Sequence, residues 1–216
     1  MAVNYNTSIV KDGLRHCFDL NNIKLYTTGS TVKDAITNEQ GSNGIANSAV
    51  SWMNDGVYAI TLVAIVTRLQ PLAGYSVNPF TKYAGTTNNT FNLYMFGNFN
   101  GTAPSSDGVL RYYSNINGTW ASVGSGYSCA LNETVIFSLQ YNSINGGQTW
   151  VNGAKAGSRN GSGRLGSVGN TSNLVVASPS YTPALRLESA IIYDRELSDN
   201  EMTHNYRALK NRYGIQ

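Results

Sequence analysis

The chain of 216 residues carries a net charge of +3, and only 12% of its residues are charged. This length suits a single β-sandwich domain, and the absence of a Lys/Arg cluster argues against a nucleic acid or an anionic membrane as the partner. The longest apolar run, Tyr58 to Val66, is too short to span a bilayer. Only four charged residues lie between Leu69 and Ala154, so the middle of the chain is almost neutral.

The N-terminal part of the chain is predicted to consist of a short arm followed by the start of the domain. Residues 1–8 are predicted to form a polar N-terminal arm, and residues 9–216 a single domain. The arm lacks the apolar run of a signal peptide, so we expect synthesis in the cytoplasm. Ile9 to Leu20 is predicted as the first strand. Val57 to Leu69 is apolar on both faces, which predicts a strand in the centre of a sandwich or beneath a covering element.

Short strands separated by turns fill the rest of the chain. They are predicted at about residues 75–84, 90–98, 109–116, 119–123, 134–141, 148–151, 154–157, 164–168 and 174–177. Asn117-Gly118 and Asn152-Gly153 are typical of type I′ hairpins, because both positions of that turn need a positive φ. This spacing predicts an antiparallel sandwich or barrel with no βαβ units.

A strand and a helix end the chain. Alternating residues from Leu185 to Tyr193 predict the last strand, and a helix is expected at about 198–212. Ser198 and Glu201 have the spacing of a capping box, and Leu197 with Met202 that of a hydrophobic staple. The predicted apolar stripe of this helix consists of Met202, Tyr206, Leu209 and Tyr213.

Three stretches carry a family resemblance. They are V-K-D-G-L-R-H-C-F-D-L-N-N from Val10, Q-T-W-V-N-G-A-K from Gln148, and I-I-Y-D-R-E-L-S-D-N-E from Ile191, which continues to Asn205 and Tyr206. Together they resemble the concanavalin A-like lectin/glucanase superfamily in its laminin-G-like branch. The ending in a short basic helix and R-Y-G resembles the copies found in bacteriophage structural proteins. The resemblance implies an all-β fold of two antiparallel sheets in a jelly-roll sandwich.

Catalytic patterns are missing. The laminarinase-like members of this superfamily carry a Glu-x-Asp-x-(x)-Glu strand motif, which this chain lacks. Its nearest acids, Glu188, Asp194 and Glu196, are interpreted as solvated or loop-bracing residues. His16 and His204 are the two histidines, and no G-x-S-x-G motif is present. We therefore predict that the protein is not an enzyme, and glycoside hydrolysis is kept as the least favoured alternative.

No metal-binding spacing is present either. The laminin-G-like resemblance implies that Ca²⁺ can be held by loop carboxylates. The candidates are Asp12, Asp19, Asp55 and Asp107, and no spacing selects among them. We predict no metal site and no cofactor, with calcium as the open alternative.

Sugar binding is the favoured small-ligand activity, because sugars stack on aromatic faces and accept hydrogen bonds from planar amides. The predicted carbohydrate-binding residues are Tyr112, Tyr113, Trp120 and Tyr127, which all lie in the almost neutral middle of the chain. Trp120 follows a predicted hairpin turn.

The resemblance implies a non-enzymatic bacteriophage virion protein, such as a capsid decoration, a head fibre or a tail-associated module. Its expected partners are other virion proteins, further copies of itself and a host-surface glycan. Its expected location is the virion. A lectin that is not part of a virion is the alternative.

Overall fold

The computed structural model describes residues 9–19, 31–33, 40–42, 59–71, 76–82, 91–96, 108–116, 119–163, 174–176 and 185–216. These residues form thirteen strands and one helix. The strands are β1 (Leu14–Asp19), β2 (Thr31–Lys33), β3 (Gln40–Ser42), β4 (Ala59–Arg68), β5 (Ser76–Lys82), β6 (Phe91–Phe96), β7 (Val109–Ile116), β8 (Thr119–Ser128), β9 (Thr134–Asn142), β10 (Gly146–Val151), β11 (Ala154–Asn160), β12 (Leu174–Val176) and β13 (Leu185–Tyr193); the helix is α1 (Asp199–Lys210). The predicted N-terminal arm, residues 1–8, lies outside the described residues.

Two large antiparallel sheets make up the fold. One has six strands in the order β1-β13-β4-β9-β10-β11, and the other has five in the order β12-β5-β6-β7-β8. A two-stranded sheet pairs β2 with β3. The prediction of an all-β, two-sheet antiparallel sandwich with a C-terminal helix is therefore confirmed. No helix among the described residues has the length and hydrophobicity needed to cross a membrane.

Strand β4 has buried residues on both of its faces, as predicted from its unbroken apolar run. Leu62 and Val66 point into the core between the two sheets, while Val63 and Ile65 point to the opposite face of the six-stranded sheet. All four side chains are at most 1% exposed. Successive residues of a strand alternate between faces, so this run can be buried only if both faces are covered.

Helix α1 covers the second face of the six-stranded sheet. Ser198 caps it, with its Oγ accepting the Glu201 N–H and the Glu201 carboxylate accepting the Ser198 N–H at 2.7 Å. Leu197 and Met202 are both buried, as expected for a staple. All four residues of the predicted stripe belong to the cluster beneath the helix, with Met202 and Leu209 buried, and the structure adds Asn205 as a third buried helix residue. Tyr206 and Tyr213 are half-buried at the edge of the same cluster.

Two hairpin predictions have different outcomes. Asn152 and Gly153 have φ values of 48° and 76° between β10 and β11, which confirms the predicted turn. Asn117 and Gly118 lie outside the described residues, although β7 and β8 flank them.

The edges of the two large sheets meet on one side of the sandwich. Strand β11 passes over β8 so closely that a Cβ added at Gly157 would overlap the carbonyl oxygen of Gly124. The Asn160 side-chain amide also donates to the Ser122 carbonyl at 3.3 Å. We call this contact the β8–β11 seam; it covers part of two strand edges.

Candidate functional site

The predicted sugar-binding residues come from two neighbouring strands. Tyr112 and Tyr113 belong to β7, and Trp120 and Tyr127 belong to β8. The register pairs Tyr113 with Ser122 and Trp120 with Asn115. The side chains of Tyr113 and Trp120 lie outside the described part of the structure, so their role stays a prediction.

Tyr112 is a core residue, which corrects its assignment to a sugar site. Its side chain is completely buried between the two sheets, and its ring centroid lies 6.3 Å from that of Tyr141. A Cβ added at Gly147 would lie only 2.5 Å from the Tyr112 ring, so the glycine makes room for it. A ring without exposed area cannot stack on a sugar at the surface.

Tyr127 is half-buried near the end of β8 and packs against the core cluster between the two sheets. Its hydroxyl donates to a carboxylate oxygen of Glu133, and its N–H donates to the Ser125 Oγ at 3.0 Å. Burial, and then the hydrogen bond to Glu133, raises the pKa of Tyr127 well above its usual value. The phenol is therefore neutral and held in one orientation.

The connection from β8 to β9 builds a small surface around Tyr127. The second oxygen of Glu133 accepts the Ala130 N–H at 2.6 Å. Leu131 lies in the turn between them and is 50% exposed. Leu69 follows β4 at the same end of the sandwich and is 38% exposed. We call Leu69, Tyr127, Leu131 and Glu133 the β8–β9 corner.

Arg68 anchors the β8–β9 corner from beneath. Its side chain is 5% exposed, and its guanidinium donates to the Cys129 carbonyl at 2.6 Å. Its backbone N–H donates to the Glu133 carbonyl at 3.0 Å, and its own carbonyl accepts the Asn132 N–H at 2.7 Å. Burial, followed by the nearby Glu133 charge, raises the pKa of the Cys129 thiol to about 12, so this thiol is protonated at neutral pH.

The outer part of β8 continues the corner with small residues. Ser122, Gly124, Gly126 and Ser128 are exposed, and a Cβ added at Gly124 or Gly126 would meet nothing within 4 Å. Arg111 on β7 is paired with Gly124 in the strand register. Among the side chains that the structure describes on β7 and β8, Arg111 is the one that carries a charge. This exposed face of β8 is therefore almost neutral, whereas Tyr127 packs against the core cluster between the sheets.

Sequence reasoning missed three members of the corner, which are Leu69, Leu131 and Glu133. They come from two connections that only the folded sheets bring together. A local signal existed for Leu131, because a leucine in the polar turn A-L-N-E between two strands is unusual for a turn.

The acids near the helix each have basic or polar partners. Glu196 pairs with Arg159 and accepts from the Asn142 side-chain amide, and Asp194 pairs with Arg15. This agrees with the loop-bracing interpretation. Glu188 differs from it, because it is 3% exposed within β13. There it accepts the Thr67 hydroxyl at 2.8 Å and pairs with Arg186.

No group of three His, Cys, Asp or Glu residues that could hold a metal ion occurs among the described residues. Asp12 is exposed and pairs with Arg195 at 2.9 Å. The side chain of Asp19 is not described, and Asp55 and Asp107 lie outside the described residues. The calcium alternative thus stays a prediction for these last three acids.

Comparison with solved structures supports the sandwich over nearly the whole chain. Trypanosoma rangeli sialidase in complex with sialic acid matches with a TM-score of 0.59 and 16% identity, over 96% of this chain and 34% of the sialidase chain. Its complex with 2,3-difluorosialic acid, described as a covalent intermediate, matches with a TM-score of 0.61 and 16% identity, over 92% of this chain and 33% of the other. The chain therefore spans about a third of the length of these sialidases.

A second kind of protein has the same fold. The binding domain of Paraclostridial Mosquitocidal Protein 1 matches with a TM-score of 0.62 and 12% identity, over 92% of this chain and 53% of that chain. No family model matches the chain, and no curated protein matches it in sequence. At these identities the likeness shows the fold.

The comparison contradicts the prediction that the protein is not an enzyme. Sialidases are enzymes, and about a third of the sialidase chain has this fold and matches nearly the whole of the present chain. That prediction relied on the missing Glu-x-Asp-x-(x)-Glu motif of one branch of the superfamily and on the missing G-x-S-x-G motif. The absence of one branch's motif does not exclude enzymes of other kinds that share the fold. None of these similarities tests the predicted virion role.

Proposed function

We propose that this chain is a carbohydrate-binding domain of the lectin-like β-sandwich type. The observation that carries the proposal is the likeness over more than nine-tenths of the chain both to a sialidase solved with sialic acid and to the binding domain of another protein. Because the chain spans about a third of the sialidases, it corresponds to one part of such a protein. Glycan binding is the activity that this part would contribute.

The β8–β9 corner is the part of the described surface that best suits a sugar. Tyr127 is half-buried there, and Leu69 and Leu131 expose apolar area at the same end of the sandwich. Sugars present C–H groups on one face and hydroxyls around the rim. The exposed Asn132 and Ser128, which lie near Tyr127 in the chain, supply neutral hydrogen-bonding groups for such a rim.

A glycan array probed with the full chain tests the proposal directly. Titration of the best glycan by calorimetry should then show Tyr127→Ala weakening binding about fivefold, since aromatic stacking contributes about 1 kcal/mol. Tyr127→Phe should retain most of the affinity, because it keeps the ring. Tyr213→Ala, which alters another half-buried tyrosine beside α1, should bind as the unmodified chain does.

Absence of binding to every glycan on the array would contradict the proposal. Binding that survives Tyr127→Ala would move the site away from the corner. Released sugar should be measured in the same samples, because the sialidase likeness leaves turnover of a bound glycan to be measured.

We further propose that this domain is displayed on a bacteriophage particle, in several copies and next to other virion proteins. The support is the sequence resemblance carried by the ending in a short basic helix and R-Y-G. Mass spectrometry of purified particles should detect the chain at a fixed ratio to the capsid protein. Its absence from the particles would refute this placement and leave the carbohydrate proposal intact.

A further inference from the structure

The Asn160-Gly161 pair at the end of β11 brings two reactive groups together. The Gly161 N–H donates to the Asn160 Oδ1 at 2.7 Å, so this backbone nitrogen lies against the side-chain amide of the preceding residue. Asn160 is exposed, and Gly161 has no side chain to shield the approach. A backbone nitrogen and a side-chain amide carbon are the groups that join when an Asn-Gly pair closes to a succinimide.

The Asn152-Gly153 pair, eight residues away in the β10–β11 turn of the same protein, is held differently. The Asn152 Oδ1 accepts the Ile136 N–H at 2.9 Å. Its backbone N–H donates to the Ile136 carbonyl at 3.0 Å. Both the side chain and the backbone of Asn152 are thus bound to strand β9, which holds the side-chain amide in place. Asn152 is a matched comparison within the same chain, with the same two residue types and a different geometry.

We propose that Asn160-Gly161 is a site of spontaneous covalent modification, in which the amide becomes a carboxylate. The Gly161 nitrogen gives its proton to a solvent base, and its electron pair attacks the Asn160 Cγ. The new N–Cγ bond forms as the Cγ–Nδ2 bond breaks, and Nδ2 takes up a proton and leaves as ammonia. Water then opens the five-membered ring at either carbonyl, which yields aspartate or isoaspartate.

This change would remove a contact of the β8–β11 seam. The Asn160 Nδ2 donates to the Ser122 carbonyl, which belongs to β8. A carboxylate has no N–H to donate and would face the carbonyl oxygen with a negative charge. Isoaspartate also lengthens the backbone of β11 by one methylene group. Modification should therefore open the seam locally, beside the exposed face of β8 described above.

The folded full-length chain, incubated in mildly alkaline buffer and then mapped with cleavage at Lys155, tests the site. Cleavage at Lys155 separates Asn152 from Asn160, and mass spectrometry reports the amide-to-acid change at each. Because positioning of reacting groups controls such rates, Asn160 should convert about tenfold faster than Asn152. Unstructured peptides containing each pair should convert at similar rates, which assigns the difference to the fold. Equal rates in the folded chain would overturn the proposal.

The Asn160→Asp variant tests the consequence separately. Hydrogen exchange should increase at the backbone amides of β8 and β11 and stay unchanged in α1. Asn160→Gln retains an amide but disfavours the five-membered ring, so it should stop the conversion and leave exchange in α1 unchanged. Unchanged exchange in β8 and β11 of Asn160→Asp would show that the seam does not depend on this contact.

Discussion

A buried asparagine ties three distant parts of the chain together. The Asn205 Oδ1 accepts the Val10 N–H at 2.8 Å, and its Nδ2 donates to the Tyr193 hydroxyl at 3.0 Å. The Tyr193 hydroxyl in turn donates to the Val10 carbonyl at 3.1 Å. Asn205 is 2% exposed and Tyr193 is completely buried. The N-terminal segment, β13 and α1 therefore depend on one closed network.

The substitution Asn205→Ala should lower the free energy of unfolding by about 3 kcal/mol. Two hydrogen bonds worth about 1 kcal/mol each are lost, and the partly buried Val10 N–H loses its acceptor, which adds about 1 kcal/mol. For a chain of this length the melting temperature should fall by roughly 6–12 °C. Equilibrium denaturation in urea measures the change, with a midpoint shift at constant slope.

Two further variants separate the network from general effects on the helix. Asn200→Ala changes an exposed asparagine of the same helix and should cost less than about 0.5 kcal/mol. The double variant of Asn205→Ala with Tyr193→Phe should cost about 1 kcal/mol less than the sum of the single ones, because both belong to one network. Additive costs, or a loss below about 0.5 kcal/mol for Asn205→Ala, would refute the reasoning.

Two more predictions concern the helix start and the seam. The Arg195 hydrogen bond, and then those from the capping residue, lowers the pKa of Glu201 from 4.5 to about 2. Its stabilisation is thus complete above pH 4.5 and lost as the pH falls towards 2. Glu201→Gln should cost about 1 kcal/mol at neutral pH after allowance for solvent screening, a difference that disappears in acid denaturation curves. Gly157→Ala should cost about 3 kcal/mol in urea, from left-handed strain plus overlap with Gly124. Gly126→Ala, with a similar positive φ but open space, should cost about 1 kcal/mol, and equal costs would contradict the close approach.

Local signals explain which elements the sequence could predict. The capping box, the staple and the doubly apolar β4 were predictable because each depends on residues within a few positions of one another. Asn205 was missed because its partner Val10 is 195 residues away. A polar residue within an apolar helix stripe is ambiguous until the group that it binds is known.

Tyr112 shows how a strand's inward face can be assigned wrongly. The run R-Y-Y offers one tyrosine to each face, and aromatic residues are frequent both in cores and in sugar sites. A charged residue such as Arg111 favours the outward face of a strand. Neighbouring strand residues point to opposite faces, so Tyr112 next to it should face inward. The enzyme prediction failed for another reason, because it inferred an absence of activity from the absence of known catalytic motifs. The β8–β9 corner could not be predicted as a unit, since it joins the end of β4 to the β8–β9 turn.

Charged residues are frequent around α1 and few at the proposed site. Around α1, acids form ion pairs with Arg15, Arg159 and Arg195, so these charged groups already have partners within the fold. On the described part of β7, β8 and the β8–β9 corner, the surface is mostly neutral, and its one carboxylate already binds Tyr127. The proposed recognition there would depend on ring stacking and neutral hydrogen bonds, each worth about 1 kcal/mol. On that proposal one copy would bind a single sugar weakly, and several copies acting together would multiply the strength. A repeated array of this domain would therefore bind a glycan-covered surface far more tightly than one copy.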